Sequence, residues 1–211
     1  MDNMLREALC KISGPLNQLL VNFSGEDGES WITEFKKFLR KEKCWIHSWY
    51  EKDGVIYFSV TSDGTTGSQW IKRLEKKGFR IGDYAKSVLL SSDFKPTNGV
   101  TTEVAVLKGM LFKNDDRVTK NIRAEADRRN LTKPNAEVAC LIREKFSDEE
   151  IEAMGLWWIV VMHESINDSD GVPDLLGAHR YGDGRGLDAY FDRPGLRWDD
   201  HRGFAFAVSQ V

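Results

Sequence analysis

Apolar positions recur at helical spacing through the first fifty residues and give way, further on, to short continuous runs and strict alternation. Leu5, Leu9 and Ile12 predict a helix that Gly14-Pro15 breaks or restarts, and Leu16, Leu19, Leu20 and Phe23 continue an apolar face. After the turn-like 24–30 segment, Trp31, Phe35, Phe38 and Leu39 form a stripe opposed by Lys36, Lys37, Arg40 and Lys41, the pattern of an amphipathic helix. Val55 to Val60 is a β-branched and aromatic run that predicts a strand. A second amphipathic helix follows it, carrying Trp70, Ile71 and Leu74 and ending at Gly78. Gly67-Ser-Gln-Trp-Ile echoes Gly28-Glu-Ser-Trp-Ile, and both are taken as helix starts. The intervening 62–67 glycines lack the lysine of a phosphate loop and predict a turn.

Ser91 to Gly99 has the Pro, Asn and Gly of a linker, which places a domain boundary between residues 98 and 99. Beyond it, Val104 to Phe112 predicts a strand, Asp115 to Asn130 a helix with Val118, Ile122 and Ala126 inward, and Ala136 to Phe146 a second helix. Ser147 caps a short acidic helix whose carboxylates suit its positive end. Leu156 to Met162 is short enough for a buried central strand, in which Trp157 or Trp158 is expected to be buried. Alternating Phe204, Phe206 and Val208 predict a final strand. The expected fold is therefore α+β: a mainly helical region over 1–98, then a domain over 99–211 of strand, two helices and an antiparallel meander whose last strand pairs with its first.

Composition singles out the C-terminal part. From Ser165 to Val211 there is neither lysine nor glutamate, although the preceding residues hold 16 Lys and 15 Glu. Charge there is carried by Asp and Arg, among Tyr, Trp, His and Gly. Such a palette suits recognition, because Arg offers planar paired donors and aromatic side chains offer rigid contact area. It equally suits a glycine-rich meander of hairpins with solvated charges.

The formal charge of −3 argues against a general nucleic-acid binder. Cys10, Cys44 and Cys140 are widely spaced and odd in number, as expected of reduced thiols. His47, His163, His179 and His201 lack metal-ligand spacing, and neither a metal nor a cofactor is expected. The N-terminus lacks the apolar run of a signal peptide and no long apolar stretch follows. The default expectation is a cytoplasmic protein without a membrane segment.

Leu131-Thr-Lys-Pro134-Asn-Ala-Glu137, between the two expected helices, resembles the L-x-x-P-x-x-E signature of the C-type lectin fold, in the branch that includes formylglycine-generating enzymes. Gly203-Phe204 resembles the Gly-Phe that closes that fold, and the resemblance covers about Asn98 to Val211. Within it, the terminal stretch resembles the variable region of diversity-generating retroelement proteins. The W-x-x-x-x-GFAF ending is also similar to sequences from candidate bacterial phyla. In the retroelement family, template adenines are miscopied into the target gene, so randomised asparagine codons yield Tyr, Asp, His, Arg, Gly, Leu, Phe, Ala and Ser but never Lys, Glu, Gln, Met or Trp. The composition after Gly177 obeys this almost throughout, with Trp198 and Gln210 as fixed positions.

The resemblance implies a binding protein rather than an enzyme, since formylglycine chemistry needs C-terminal cysteines and none follows Cys140. It implies a variable face over about 177–203 formed by His179, Tyr181, Asp188, Tyr190, Phe191, Leu196, Arg197, Asp199, Asp200, His201 and Arg202. Leu131, Pro134, Glu137, Trp198, Gly203 and Phe204 would be scaffold, and the ligand is expected to be a protein. Two alternatives stand beside it. A calcium-dependent carbohydrate-binding lectin is suggested by Trp198-Asp199-Asp200, although Asp192-Arg193-Pro194-Gly195 lacks the partner motif. A nucleic-acid-associated protein would use the basic run 36–43, the less expected partner because Glu34 and Glu42 interrupt it.

Overall fold

The computed structural model describes residues 14–25, 28–41, 48–180 and 185–209. The chain divides into two units, 1–47 and 48–211. The expected helix over Leu5–Ile12, together with Cys10, Cys44 and His47, lies outside the described residues.

In the first unit, the described residues 14–23 are helical (α1), and α2 (Gly28–Leu39) starts at the predicted glycine. Phe23 meets Phe35 with ring centroids 5.6 Å apart, while Phe38 and Leu39 remain exposed.

The second unit begins with a hairpin, β1 (Tyr50–Lys52) and β2 (Val55–Asp63), joined by Asp53-Gly54. Both turn residues have positive φ, 53° and 74°, the backbone a tight two-residue hairpin requires. In β2, Phe58, Val60 and Ser62 are buried while Ser59, Thr61 and Asp63 face solvent, so the alternation expected of a half-buried strand is observed. α3 (Gly67–Lys76) follows, then the two-residue β3 (Arg80–Ile81) and α4 (Asp83–Leu90). Gly67 is required at the start of α3, because a Cβ there would sit 1.8 Å from the Leu89 carbonyl oxygen of α4. β4 (Asn98–Lys108), α5 (Thr119–Arg128), β5 (Leu131–Thr132), α6 (Val138–Lys145) and α7 (Asp148–Ala153) come next. They are followed by β6 (Trp158–Val161), β7 (Ile166–Asn167), β8 (Pro173–His179), β9 (Gly186–Phe191) and β10 (Arg202–Val208). The Ser147 hydroxyl accepts from the Glu150 N–H at 3.2 Å, the predicted cap of α7.

Among the described residues the fold is mixed α+β, with seven helices and a ten-stranded sheet. The strand order is β1-β2-β4-β10-β6-β8-β9-β3, with β5 beside β10 and β7 beside β8. The last strand pairs antiparallel with β4, Phe204 opposite Leu107 and Phe206 opposite Ala105. The boundary expected between 98 and 99 is corrected. β2 is hydrogen-bonded along β4 from Val55 opposite Leu107 to Asp63 opposite Asn98, so residues 48–98 belong to the same sheet as the rest of their unit. The expected linker runs straight into β4, which starts six residues before the predicted strand and ends at Lys108 in a 3-10 turn.

Each face of the sheet buries its own core. On one, Ile56, Phe58, Trp70, Leu74, Val88, Leu141 and Leu176 pack with α3, α4 and α6; on the other, Leu107, Val160, Leu175, Phe204 and Phe206 pack with Ile122 and Ala126 of α5. Cys140 is buried in the first core as a free thiol, and burial pushes its pKa up, which keeps it protonated and inert. Phe204 and Phe206 are buried as expected. Trp157 and Trp158 are not; both are half-exposed at the start of β6, where Trp157 stacks on His201 and Trp158 lies 4.7 Å beneath the Arg202 guanidinium carbon.

Candidate ligand-binding face

Residues opposite one another in a sheet point to the same face, and side chains two apart along a strand share it. The register places Arg202 opposite Trp158, Trp158 opposite His179, and His179 opposite Gly186. One step along, Phe204, Val160, Gly177 and Asp188 align in the same way, and then Leu175 with Tyr190. Arg202, His179, Asp188 and Tyr190 therefore share one face, as a continuation of the Phe204 core toward the end of the sheet. Tyr190 lies across Gly177, where an added Cβ would fall 2.8 Å from its ring.

The connection from β9 to β10 covers this face and is anchored to the start of α5. The Arg123 guanidinium donates to Asp192 at 2.8 Å, Lys120 N–H to the Pro194 carbonyl at 3.0 Å, and Thr119 N–H to the Leu196 carbonyl at 3.2 Å. Trp198 is the plug: its indole N–H donates to the Thr119 hydroxyl at 3.0 Å, and its ring meets Tyr190 at 6.0 Å and Phe204 at 5.6 Å, both edge-on. Arg202 stacks on Trp158, Tyr190 and Trp198 and donates through Nε to Asp199 at 2.7 Å. Burial pushes the Tyr190 phenol up, so it stays protonated.

The expected variable positions divide into three groups. Phe191, Arg197, Asp199, Asp200 and His201 are exposed; Asp188, Tyr190, Leu196 and Arg202 are half-buried. His179 is corrected: it is only 7% exposed, because β8 lies between β6 and β9, and its Nε2 sits 3.2 Å from Asp188 Oδ2. Phe191 points to the opposite face from Tyr190, and Tyr181 lies outside the described residues. The expected scaffold positions Leu131, Pro134, Glu137, Trp198, Gly203 and Phe204 are all buried. Glu137 accepts from the Thr97 N–H at 3.0 Å and from its hydroxyl at 2.5 Å, tying α6 to the start of β4. The carboxylates of Trp198-Asp199-Asp200 are turned toward neighbouring side chains, Asp199 to the Arg202 guanidinium and Asp200 to the His201 ring.

Beside β9 lies a cleft of about 290 Å³ lined by Tyr84, Asp174, Tyr190, Phe191, Trp198 and Arg202, among others. Asp174 and Tyr84 were not anticipated, although an aspartate within the apolar run 173–178 was a visible signal. Asp174 is 2% exposed and its Oδ1 has no hydrogen-bond partner. Burial, reinforced by the nearby Asp168 charge, raises its pKa to about 6. Trp158, which stacks under Arg202, is a further site residue missed by composition because it lies before the Lys- and Glu-free stretch.

Fold and face together define a mixed α+β protein that presents an aromatic, arginine- and aspartate-rich surface at one end of its sheet. No family model, curated protein or solved structure matches the chain.

Proposed function

We propose that the chain is a ligand-binding protein that displays diversified residues on a lectin-like scaffold, of the kind served by diversity-generating retroelements. The observation that carries this reading is the separation of roles along 186–206. Positions of permissive composition such as Phe191, Arg197, Asp200 and His201 are exposed, while the interleaved Leu187, Trp198, Gly203 and Phe204 are buried. A surface that varies without unfolding needs this division, since exposed substitutions cost little and core substitutions cost much. The antiparallel pairing of β10 with β4 across α5 and α6 supports the lectin-like element order. The half-buried aromatic and guanidinium groups supply the anchors that dominate protein interfaces.

The ligand is a protein in this reading, and no covalent chemistry is assigned. No described helix is long and apolar enough to cross a membrane. The test randomises Phe191, Arg197, Asp200 and His201 together, then measures thermal unfolding and selects for binding. Retained folding with new binders supports the proposal; collapse of most variants sinks it. Sequencing beside the gene supplies a second check, a near-copy of its 3′ end differing at adenines.

A further inference from the structure

The outer edge of β9 is only partly covered. β3 pairs with it through Arg80 opposite Gly186 and Ile81 opposite Leu187, after which the chain turns into α4. Main-chain groups alternate in direction along a strand. Gly82 N–H donates to the Leu187 carbonyl at 3.0 Å on the β3 side, whereas Asp192 N–H donates to the Pro173 carbonyl at 2.8 Å on the β8 side. The N–H and C=O of Ala189 and Phe191 therefore point away from β8, to the side where β3 has ended. Among the described residues, no strand pairs with β9 there.

The cleft lies along this same edge and is lined from both faces of the sheet. Tyr84, Asp174 and Phe191 belong to one side; Tyr190, Trp198 and Arg202 belong to the other. Each side holds one buried polar atom without a partner, Asp174 Oδ1 and Arg202 Nη1. The Asp174 side is acidic, with Asp168 close enough to raise the Asp174 pKa and Tyr84 donating to Asp170 at 3.2 Å. The other side presents the guanidiniums of Arg202 and Arg197, each with one exposed carboxylate partner, Asp199 at 2.7 Å and Asp115 at 3.1 Å.

An added strand satisfies all of these features at once. Its main chain pairs with Ala189 and Phe191, and its successive side chains point to opposite faces. We propose that the cleft takes an extended peptide segment of a partner protein by strand addition to β9, with a lysine or arginine facing Asp174 and an adjacent glutamate or aspartate facing Arg202. This rests on the binding reading above and names the partner's local chemistry. Tyr84 and Phe191, both about half exposed, flank the basic side chain, and Trp198 with Tyr190 backs the acidic one.

Random peptides about ten residues long, comfortably longer than an ordinary strand, are selected on the intact protein by display. The expected binders carry an adjacent basic and acidic pair. Their affinity falls about tenfold or more with Asp174→Asn, with Ala189→Pro, and with methylation of the peptide nitrogens on one alternate set of residues but not the other. Ala189→Pro removes an N–H that β8 does not use; peptide methylation leaves the protein untouched and decides the matter if that variant folds poorly. Binders without the charge pair, binders indifferent to all three changes, or no binders overturn the proposal. So does a dimer that dissociates in Ala189→Pro, which would assign the edge to a second copy of the chain. Binders lost on substituting Arg197 and His201 but indifferent at Ala189 would leave the diversified-face reading standing and remove only strand addition.

Discussion

Two buried titratable groups of opposite habit meet at β8, Asp174 within the strand and His163 bonded to it, and their removal separates two pH dependences. His163 is buried, its Nδ1 bonded to the Glu164 carbonyl at 2.6 Å and its Nε2 accepting from the Leu176 N–H at 2.9 Å. Burial outweighs the Glu164 carbonyl and the Asp192 charge and depresses its pKa from 6.5 to about 4. A base with a depressed pKa contributes stability that is present above 6.5 and lost as pH falls toward 4. Asp174 is the reverse: its pKa is raised from 3.8 to about 6, so its contribution is present at low pH and lost as pH rises through about 6. At about 1.4 kcal/mol for each pKa unit separating the folded and unfolded states, each group carries up to about 3 kcal/mol across nearly the same window, with opposite sign. Urea unfolding of wild type, Asp174→Asn and His163→Gln at pH 4, 5, 6 and 7 reads the differences, in which all other groups cancel. Asp174→Asn should gain on wild type by up to about 3 kcal/mol between pH 4 and pH 7. Wild type should lose its advantage over His163→Gln as the pH is lowered across that range. Parallel stability curves for the three proteins would refute the burial argument for both groups.

The remaining predictions concern the face and its supports. Phe191→Ser, Arg197→Ser, Asp200→Ser and His201→Ser should each change stability by no more than about 0.5 kcal/mol in chemical unfolding, as at exposed sites whose contacts are made at the surface, while His179→Ser should cost more because its site is buried. Phe204→Ala empties a fully buried ring site against Trp198 and should cost about 3–5 kcal/mol; a melting curve like wild type would contradict its place in the core. Glu137→Ala leaves the Thr97 N–H without its acceptor and should cost about 1–3 kcal/mol, with faster amide exchange at Thr97 as the local readout.

Local pattern was enough to identify the elements whose character is set by near neighbours. The alternation in 55–63, the helical stripes of α3, α5 and α6, the Ser147 cap and the apolar run of β6 were all legible, because period, capping and turn chemistry act over a few residues. The Asp53-Gly54 hairpin is equally local, its turn set by two adjacent residues with positive φ. The division between exposed and buried positions over 186–206 was partly legible from composition, since residues excluded from varying positions betray what must stay fixed. Pairing was not legible. That β2 lies along β4, and so ties residues 48–98 to the rest of the unit, depends on pairings as far apart in the chain as Val55 with Leu107, to which neither the Pro, Asn and Gly of 95–99 nor any spacing refers. The same is true of His179, whose polar side chain is buried because its strand lies inside the sheet, and of Trp157 and Trp158, which are half-exposed because they stand where β6 begins. The cleft is the clearest case: Tyr84, Asp174, Phe191 and Arg202 come from four separate elements. What joins them is the point at which β3 stops pairing with β9, and strand order and register, which only the packing of the whole unit decides, put it there.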